Sequence, residues 1–314
     1  MRAGATAVLA AAVVVPLVRR RWRVPPAVTV AATVAGPLSL AALRPRTDRR
    51  DVALYALQMW AFAVVHELPY DDPEGLRRRQ RIRYPIKADR LLGAGELPTS
   101  RLQRALSRPG SVSALDRMLS MAHWAWFFQP HLSLLYILAN DHERFPRAAR
   151  QLAVAYDIGC AVYIAVPTAP PWWASEEGYL DEDVERVPAE VVRREMQALR
   201  RIMVDVGEEV WGSAWPRLYE TLGGNPWAAM PSLHFATSLL AALLLSEVGA
   251  LPGAFGWAYA ATLGFALVYL GEHYVTDLLA GTVLVLAVRR GEPVVEPLVE
   301  AVNRGLRRLE AVAA

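Results

Sequence analysis

Two short stretches carry residue types that a bare apolar helix does not need. "NPWAAMPSLHFATSLL", residues 225–240, sets Ser232 and His234 at the mouth of an apolar run, just after Pro231. "GEHYVTDLLAG", residues 271–281, sets His273 and Asp277 at the mouth of another. Imidazole is the side chain that titrates near neutral pH, so two of them can divide nucleophilic and acid–base work. His273 and Asp277 are four residues apart, a spacing that stacks them on one helical face. A carboxylate behind an imidazole fixes its tautomer and raises the nucleophilicity of the other ring nitrogen. Pro231 suits the first turn of a helix, which predicts Ser232 and His234 inside that turn. The free N–H groups and positive dipole end there favour an anion.

Each stretch alone reads equally well as interfacial decoration or a satisfied polar pair. Together they say more. Ser-x-His opens one helix and His-x3-Asp opens the next helix but one. The two helices therefore run parallel, and two imidazoles and a carboxylate meet at one depth. An unpaired Asp at membrane depth costs several kcal/mol, and His273 is the partner in reach. Zinc on His234, His273 and Asp277 is the alternative. The serine and the helix-mouth proline favour an anion over a metal. His66, His123, His131 and His142 have no partner at helical spacing and are read as bland.

The elements that must hold these residues are membrane helices. The chain has 314 residues, 54% hydrophobic yet 21% charged, so its charge is segregated rather than diluted. The net charge is +3, Lys87 is the only lysine, and Cys160 is the single cysteine, which excludes an intrachain disulfide. Apolar runs fall at 5–18, 27–43, 52–67, 118–139, 150–167, 229–248, 253–270 and 273–289. Spanning segments must satisfy their own backbone, so the expected fold is all-α: a polytopic bundle of six core transmembrane helices plus an N-terminal hydrophobic pair. The expected organisation is an N-terminal hairpin or uncleaved anchor over 1–50, a membrane core over 51–292, and an amphipathic surface tail over 293–314. Two polar segments interrupt the core. Residues 68–117 are arginine-rich and read as an interfacial segment on anionic headgroups. Residues 168–228 hold an acidic patch, 176–185, and an amphipathic stretch, 191–211, that reads as a lid or lateral helix with interfacial tryptophans.

Pro231-Ser232-Leu233-His234 and His273-x3-Asp277 resemble the Pro-Ser-Gly-His and Ser-Arg-x5-His-x3-Asp motifs of the type 2 phosphatidic acid phosphatase superfamily. The likeness covers about 150–295. Leu233 replaces the glycine, and Ala266 and Leu267 stand where Ser-Arg would be, so that phosphate-clamping arginine is absent. With "PTAPPWW" at 167–173, the pattern is similar to the branch containing inositol phosphorylceramide synthases, which move a phospho-headgroup between lipids. The resemblance implies a catalytic set of His234, His273 and Asp277, a phosphohistidine intermediate, and no cofactor or metal. It leaves the phosphate to Ser232, Arg201 and Arg200. The implied partners are a phospholipid or lipid-phosphate substrate and membrane lipids, with no nucleic acid. The alternative is a lipid or polyprenyl phosphate phosphatase with the same triad, and a non-enzymatic lipid-binding scaffold is the third reading. Arg289, Arg290, Arg304, Arg307 and Arg308 mark the C-terminal end as cytoplasmic. This puts the site on the extracytoplasmic face of what the Ala/Arg bias suggests is a bacterial cell membrane.

Overall fold

The computed structural model describes residues 2–180, 199–222 and 226–313. It is about 80% helical, and among the described residues there is no strand. The chain is an all-α polytopic membrane helix bundle. Four helices are long and apolar enough to cross a membrane: Ala3–Trp22, Pro26–Leu43, Asp48–Asp71 and Ala250–Tyr269. The expected acidic patch from 181 onward, and 191–198 of the amphipathic stretch, lie outside the described residues.

The chain divides into two compact units. The first comprises residues 1–76, 134–160 and 286–314. In it α1 (Arg2–Trp22) and α2 (Pro26–Leu43) form a hairpin, followed by α3 (Asp48–Glu67). Gly36 lets α1 and α2 approach closely, since a Cβ there would sit 2.8 Å from the Ala12 Cβ. Thr47 caps α3 by accepting the Arg50 N–H. Val14, Leu17, Val34 and Leu38 stay exposed, as helix faces that meet lipid must.

The second unit comprises residues 77–133 and 161–285. It holds α4 (Pro73–Arg79, in part), α5 (Arg83–Leu92), α6 (Pro98–Leu106) and α7 (Ala114–Ala125). The apolar run at 118–139 is not one continuous helix. α7 stops at Ala125, and α8 (Gln129–Asn140) restarts after a turn at 126–128. Pro130 is the cause: without an N–H, and with a ring that clashes with the carbonyl four residues back, it cannot continue α7, but it is tolerated in the first turn of α8. α9 (Phe145–Ala165), like α8 from Leu134 onward, falls in the first unit up to Cys160; the second unit resumes with the end of α9, then α10 (Pro171–Glu176), α11 (Ile202–Trp211) and α12 (Trp215–Leu222). The described part of the amphipathic stretch is thus α11. Its Ile202 and Val206 bury against Leu119 of α7.

α13 (Leu233–Val248) and α14 (Ala250–Tyr269) form an antiparallel pair. At Gly256 a Cβ would lie 2.7 Å from the Ala242 Cα, so only glycine permits this approach. α15 runs unbroken from Val275 to Ala313. Gly291 and Pro293 argue for a stop, but the residues beyond Pro297, with Leu298, Glu300 and Ala301, are helix formers that continue it. Residues 293–313 thus continue the last helix. At 1.5 Å per residue its 39 residues reach about 58 Å, roughly twice the hydrocarbon thickness.

Candidate active site

Three segments far apart in sequence are laced together just ahead of α13. The Arg81 N–H donates to the Pro167 carbonyl, and the Thr168 N–H donates to the Trp227 carbonyl. The Ala229 N–H donates back to the Thr168 carbonyl at 3.1 Å. This fixes the approach to Pro231. The expectation that Pro231 opens the helix is corrected. Ser232 is the N-cap, and its Oγ accepts the Phe235 N–H at 3.2 Å. A serine oxygen satisfies a first-turn N–H, which a proline merely tolerates losing, so the cap falls on Ser232. The Tyr163 hydroxyl donates to the Pro231 carbonyl at 2.7 Å and accepts the Leu233 N–H at 3.2 Å, pinning the turn from α9.

The starts of α13 and α15 touch. The Ser232 N–H donates to the Asp277 carbonyl at 3.0 Å. Gly281 makes room, since a Cβ there would stand 2.8 Å from the Ser232 carbonyl oxygen. His273 lies two residues before α15 begins, so it shares no helical face with Asp277. Instead Asp277 reaches back over the helix start. Its Oδ2 accepts the Tyr274 N–H at 2.9 Å and lies 3.3 Å from His273 Nδ1. The other nitrogen of His273, Nε2, lies 3.2 Å from His234 Nδ1. Asp277, His273 and His234 thus form a line of contacts, which is the geometry of a proton relay. Among the described residues no three His, Cys, Asp or Glu side chains converge as a metal-holding group.

Sequence reasoning assigned no role to several neighbours. The His234 ring is flanked by His123, stacked at 4.8 Å between centroids, and by Trp126 at 4.0 Å. Trp126 Nε1 donates to Thr237 Oγ1 on the same helix as His234. Asp89 is fully buried and caps α15. Its two carboxylate oxygens accept the Val275 and Thr276 N–H groups at 2.9 and 2.8 Å. Only the "HWAWFF" segment, with its aromatics beside a histidine, hinted at any of this.

The two arginines differ. Arg200 Nε donates to Asp205 at 2.6 Å, and Nη1 donates to Asp116 at 3.3 Å and to the Arg108 carbonyl at 3.1 Å. Its neighbour Arg201 lies over the Trp172 ring at 3.9 Å and donates to Glu176 and the Tyr219 hydroxyl. Arg201 and His273 both act electrostatically on Glu272, which is buried in the loop between α14 and α15. Burial pushes the Glu272 carboxyl up to about 7, against the pull of Arg201 and His273.

Ser232 and Arg200 are therefore committed to internal partners. Arg201 is the arginine of the pair whose charge acts in the same loop as His273. A buried nucleophile candidate with a carboxylate behind it, a second imidazole in contact and a nearby cation can carry out transfer of an anionic group. A family model described as the PAP2 superfamily matches residues 102–289, more than half of the chain. No curated protein and no solved structure matches it.

Proposed function

This chain belongs to the PAP2 superfamily, and on that premise we propose that it is an integral-membrane phosphotransferase acting on phospholipid-type substrates, similar to inositol phosphorylceramide synthases. The observation that carries the reading is the line from Asp277 through His273 to His234, at 3.3 and 3.2 Å. His273 Nε2 attacks phosphorus, and the bond to the leaving oxygen breaks as His234 protonates that oxygen. Asp277 stabilises the imidazolium of His273. The acceptor hydroxyl then gives its proton to His234 and attacks the phosphohistidine, which releases the headgroup to the acceptor and frees His273. Arg201 neutralises the equatorial oxygens, and the N-terminal N–H groups of α13, capped by Ser232, add their dipole. Arg200 acts one layer back, through its pairing with Asp116.

The choice of transferase over hydrolase is supported by what fills the Ser-Arg positions. Ala266 and Leu267 are completely buried and apolar, so an arginine clamp from α14 is replaced by one from the α10–α11 side. The arginines at the C-terminal end of α15 support a site on the extracytoplasmic face of a bacterial cell membrane. The test uses purified protein in detergent with EDTA. Labelled phosphatidylinositol and phosphatidic acid are offered with and without a lipid alcohol, beside His273→Ala. Acceptor-dependent headgroup transfer, lost in the variant, supports the proposal. Phosphate release from phosphatidic acid, indifferent to acceptor, makes the protein a lipid phosphatase instead.

A further inference from the structure

Glu272 is a carboxyl beside the histidines that the transfer scheme above leaves idle. It follows Gly271, whose φ of +78° turns the chain between α14 and α15 and whose carbonyl accepts the Trp172 N–H at 3.0 Å. The groups that face it come from four segments: Arg201 at the start of α11, Trp172 and Glu176 of α10, Tyr219 of α12, and His273 next to it in the chain. It is 8% exposed, and its Oε1 has no hydrogen-bond partner. The ion pair of Arg201 is made with Glu176 and not with Glu272.

A buried ionised carboxylate with an oxygen left unpaired is costly, and beside a bound phosphoryl group it would also repel the substrate. A neutral carboxylic acid has neither fault. It carries an O–H donor, and its residue adjoins in the chain the histidine that takes the phosphorus. We propose that Glu272 is held protonated in the resting site and donates a hydrogen bond to a non-bridging oxygen of the bound phosphoryl group. It is thus a substrate-contacting residue in addition to the His/His/Asp set. The proton stays on Glu272 throughout, so no bond to it forms or breaks. The inference rests on the phosphoryl-transfer reading of the same site. It also fits the value near 7 that burial gives this carboxyl, because substrate binding would weaken as pH rises through that value.

The experiment uses the full chain in detergent with phosphatidylinositol, a phosphodiester that does not itself titrate between pH 6 and 9. Wild type, Glu272→Gln and Glu272→Ala are compared across about pH 6–8.5, with a thermal melt of each. In wild type KM should rise about tenfold over that range as the donor proton is lost. Glu272→Gln, a permanent neutral donor, should stay within about fivefold of wild type at pH 6 and lose the dependence. Glu272→Ala should bind more weakly at every pH, by about tenfold. A Gln variant as dead as His273→Ala would overturn the proposal, because the carboxylate would then be needed as a base. A Gln variant that keeps the wild-type pH dependence would overturn it too. If wild type turns over no lipid, the transfer reading fails separately, and calorimetric titration with sulfate still decides this one. Sulfate keeps one charge state across the range. Its affinity should fall through pH 7 in wild type and stay flat in Glu272→Gln; binding that is absent or flat in wild type sinks the inference.

Discussion

The two compact units bury their polar side chains in different ways. In the first, the buried polar groups of α2 and α3 are satisfied close by in the chain, although the buried Gln151 of α9 reaches Glu292. Thr33 Oγ1 donates to the Thr29 carbonyl one turn back, and Arg50 Nη2 donates to the Ala41 carbonyl nine residues earlier. Its longer-range ion pairs, such as Arg147 with Glu292, remain half in solvent. In the second, buried groups reach across 97 to 186 residues. Asp89 caps α15, Gln103 donates to the Arg200 and Tyr269 carbonyls, and the Tyr269 hydroxyl donates to Asp116 at 2.6 Å. Local satisfaction is what a lipid-facing helix needs to exist at all. Long-range buried satisfaction over-determines where side chains sit, which is what a reacting site needs. The contrast predicts that perturbing the second unit costs function and stability together, whereas perturbing the first costs little of either.

The sharpest break comes at the centre of the second unit. His273→Ala should lower turnover by at least about 10³-fold and lower the melting temperature as well, because it removes the nucleophile and leaves the buried Asp277 carboxylate without its imidazole partner. Steady-state rates and a thermal melt on the same preparation check this. A variant that retains a tenth of wild-type turnover would mean that the line from Asp277 to His234 is packing.

Asp116→Ala tests whether the network behind the site carries structure. Asp116 is fully buried and its carboxylate serves three donors: the Ser113 N–H of a capping box, the Tyr269 hydroxyl and Arg200. Its removal strands Arg200 and Tyr269, and the expected loss is about 3 kcal/mol of stability. Denaturant or thermal unfolding reads it directly. Arg200→Ala should follow in the same direction with a smaller loss, because Arg200 has Asp205 as a second partner.

How much of this was legible in the sequence depends on distance along the chain. The apolar runs predict the helices well, because a membrane span declares itself residue by residue. His273 and Asp277 are near in the chain, but their contact is made by Asp277 reaching back over the helix start rather than by the shared helical face that the spacing predicts; His234 is readable because it opens the helix that precedes α14. The stacking of His123 on His234 is not readable: 111 residues separate them and no periodicity links them. Asp89 looks like one more charge in an arginine-rich segment, yet it caps a helix that begins 186 residues later. The break at 126–128 was marked by Pro130, but the apolar composition on both sides hides it. Sequence pattern records which groups belong at a helix start. It does not record which distant segment satisfies them.

Asp89→Ala makes that last point measurable. Loss of the carboxylate leaves the Val275 and Thr276 N–H groups of α15 without their acceptor, at an expected cost of about 2 kcal/mol. Because the same turn carries His273, turnover should fall about tenfold with it. Asp89→Asn, which keeps one acceptor oxygen, should recover part of both. An Asp89→Ala protein with lower stability but unchanged turnover would detach the cap from the site.

The smallest effect belongs to the first unit. Arg147 makes two close contacts to Glu292 at 2.9 and 2.7 Å, and Gln151 donates to the same carboxylate at 2.7 Å. By bond count this cluster rivals the one around Asp116. Its arginine is nevertheless 40% exposed, whereas Asp116 has no exposure at all. Water screens the pair and rehydrates whichever partner is left behind, so Arg147→Ala should cost under about 1 kcal/mol and leave turnover unchanged. The residual effect should shrink further in high salt. If Arg147→Ala instead matched Asp116→Ala in either measurement, burial would not be what separates the two units.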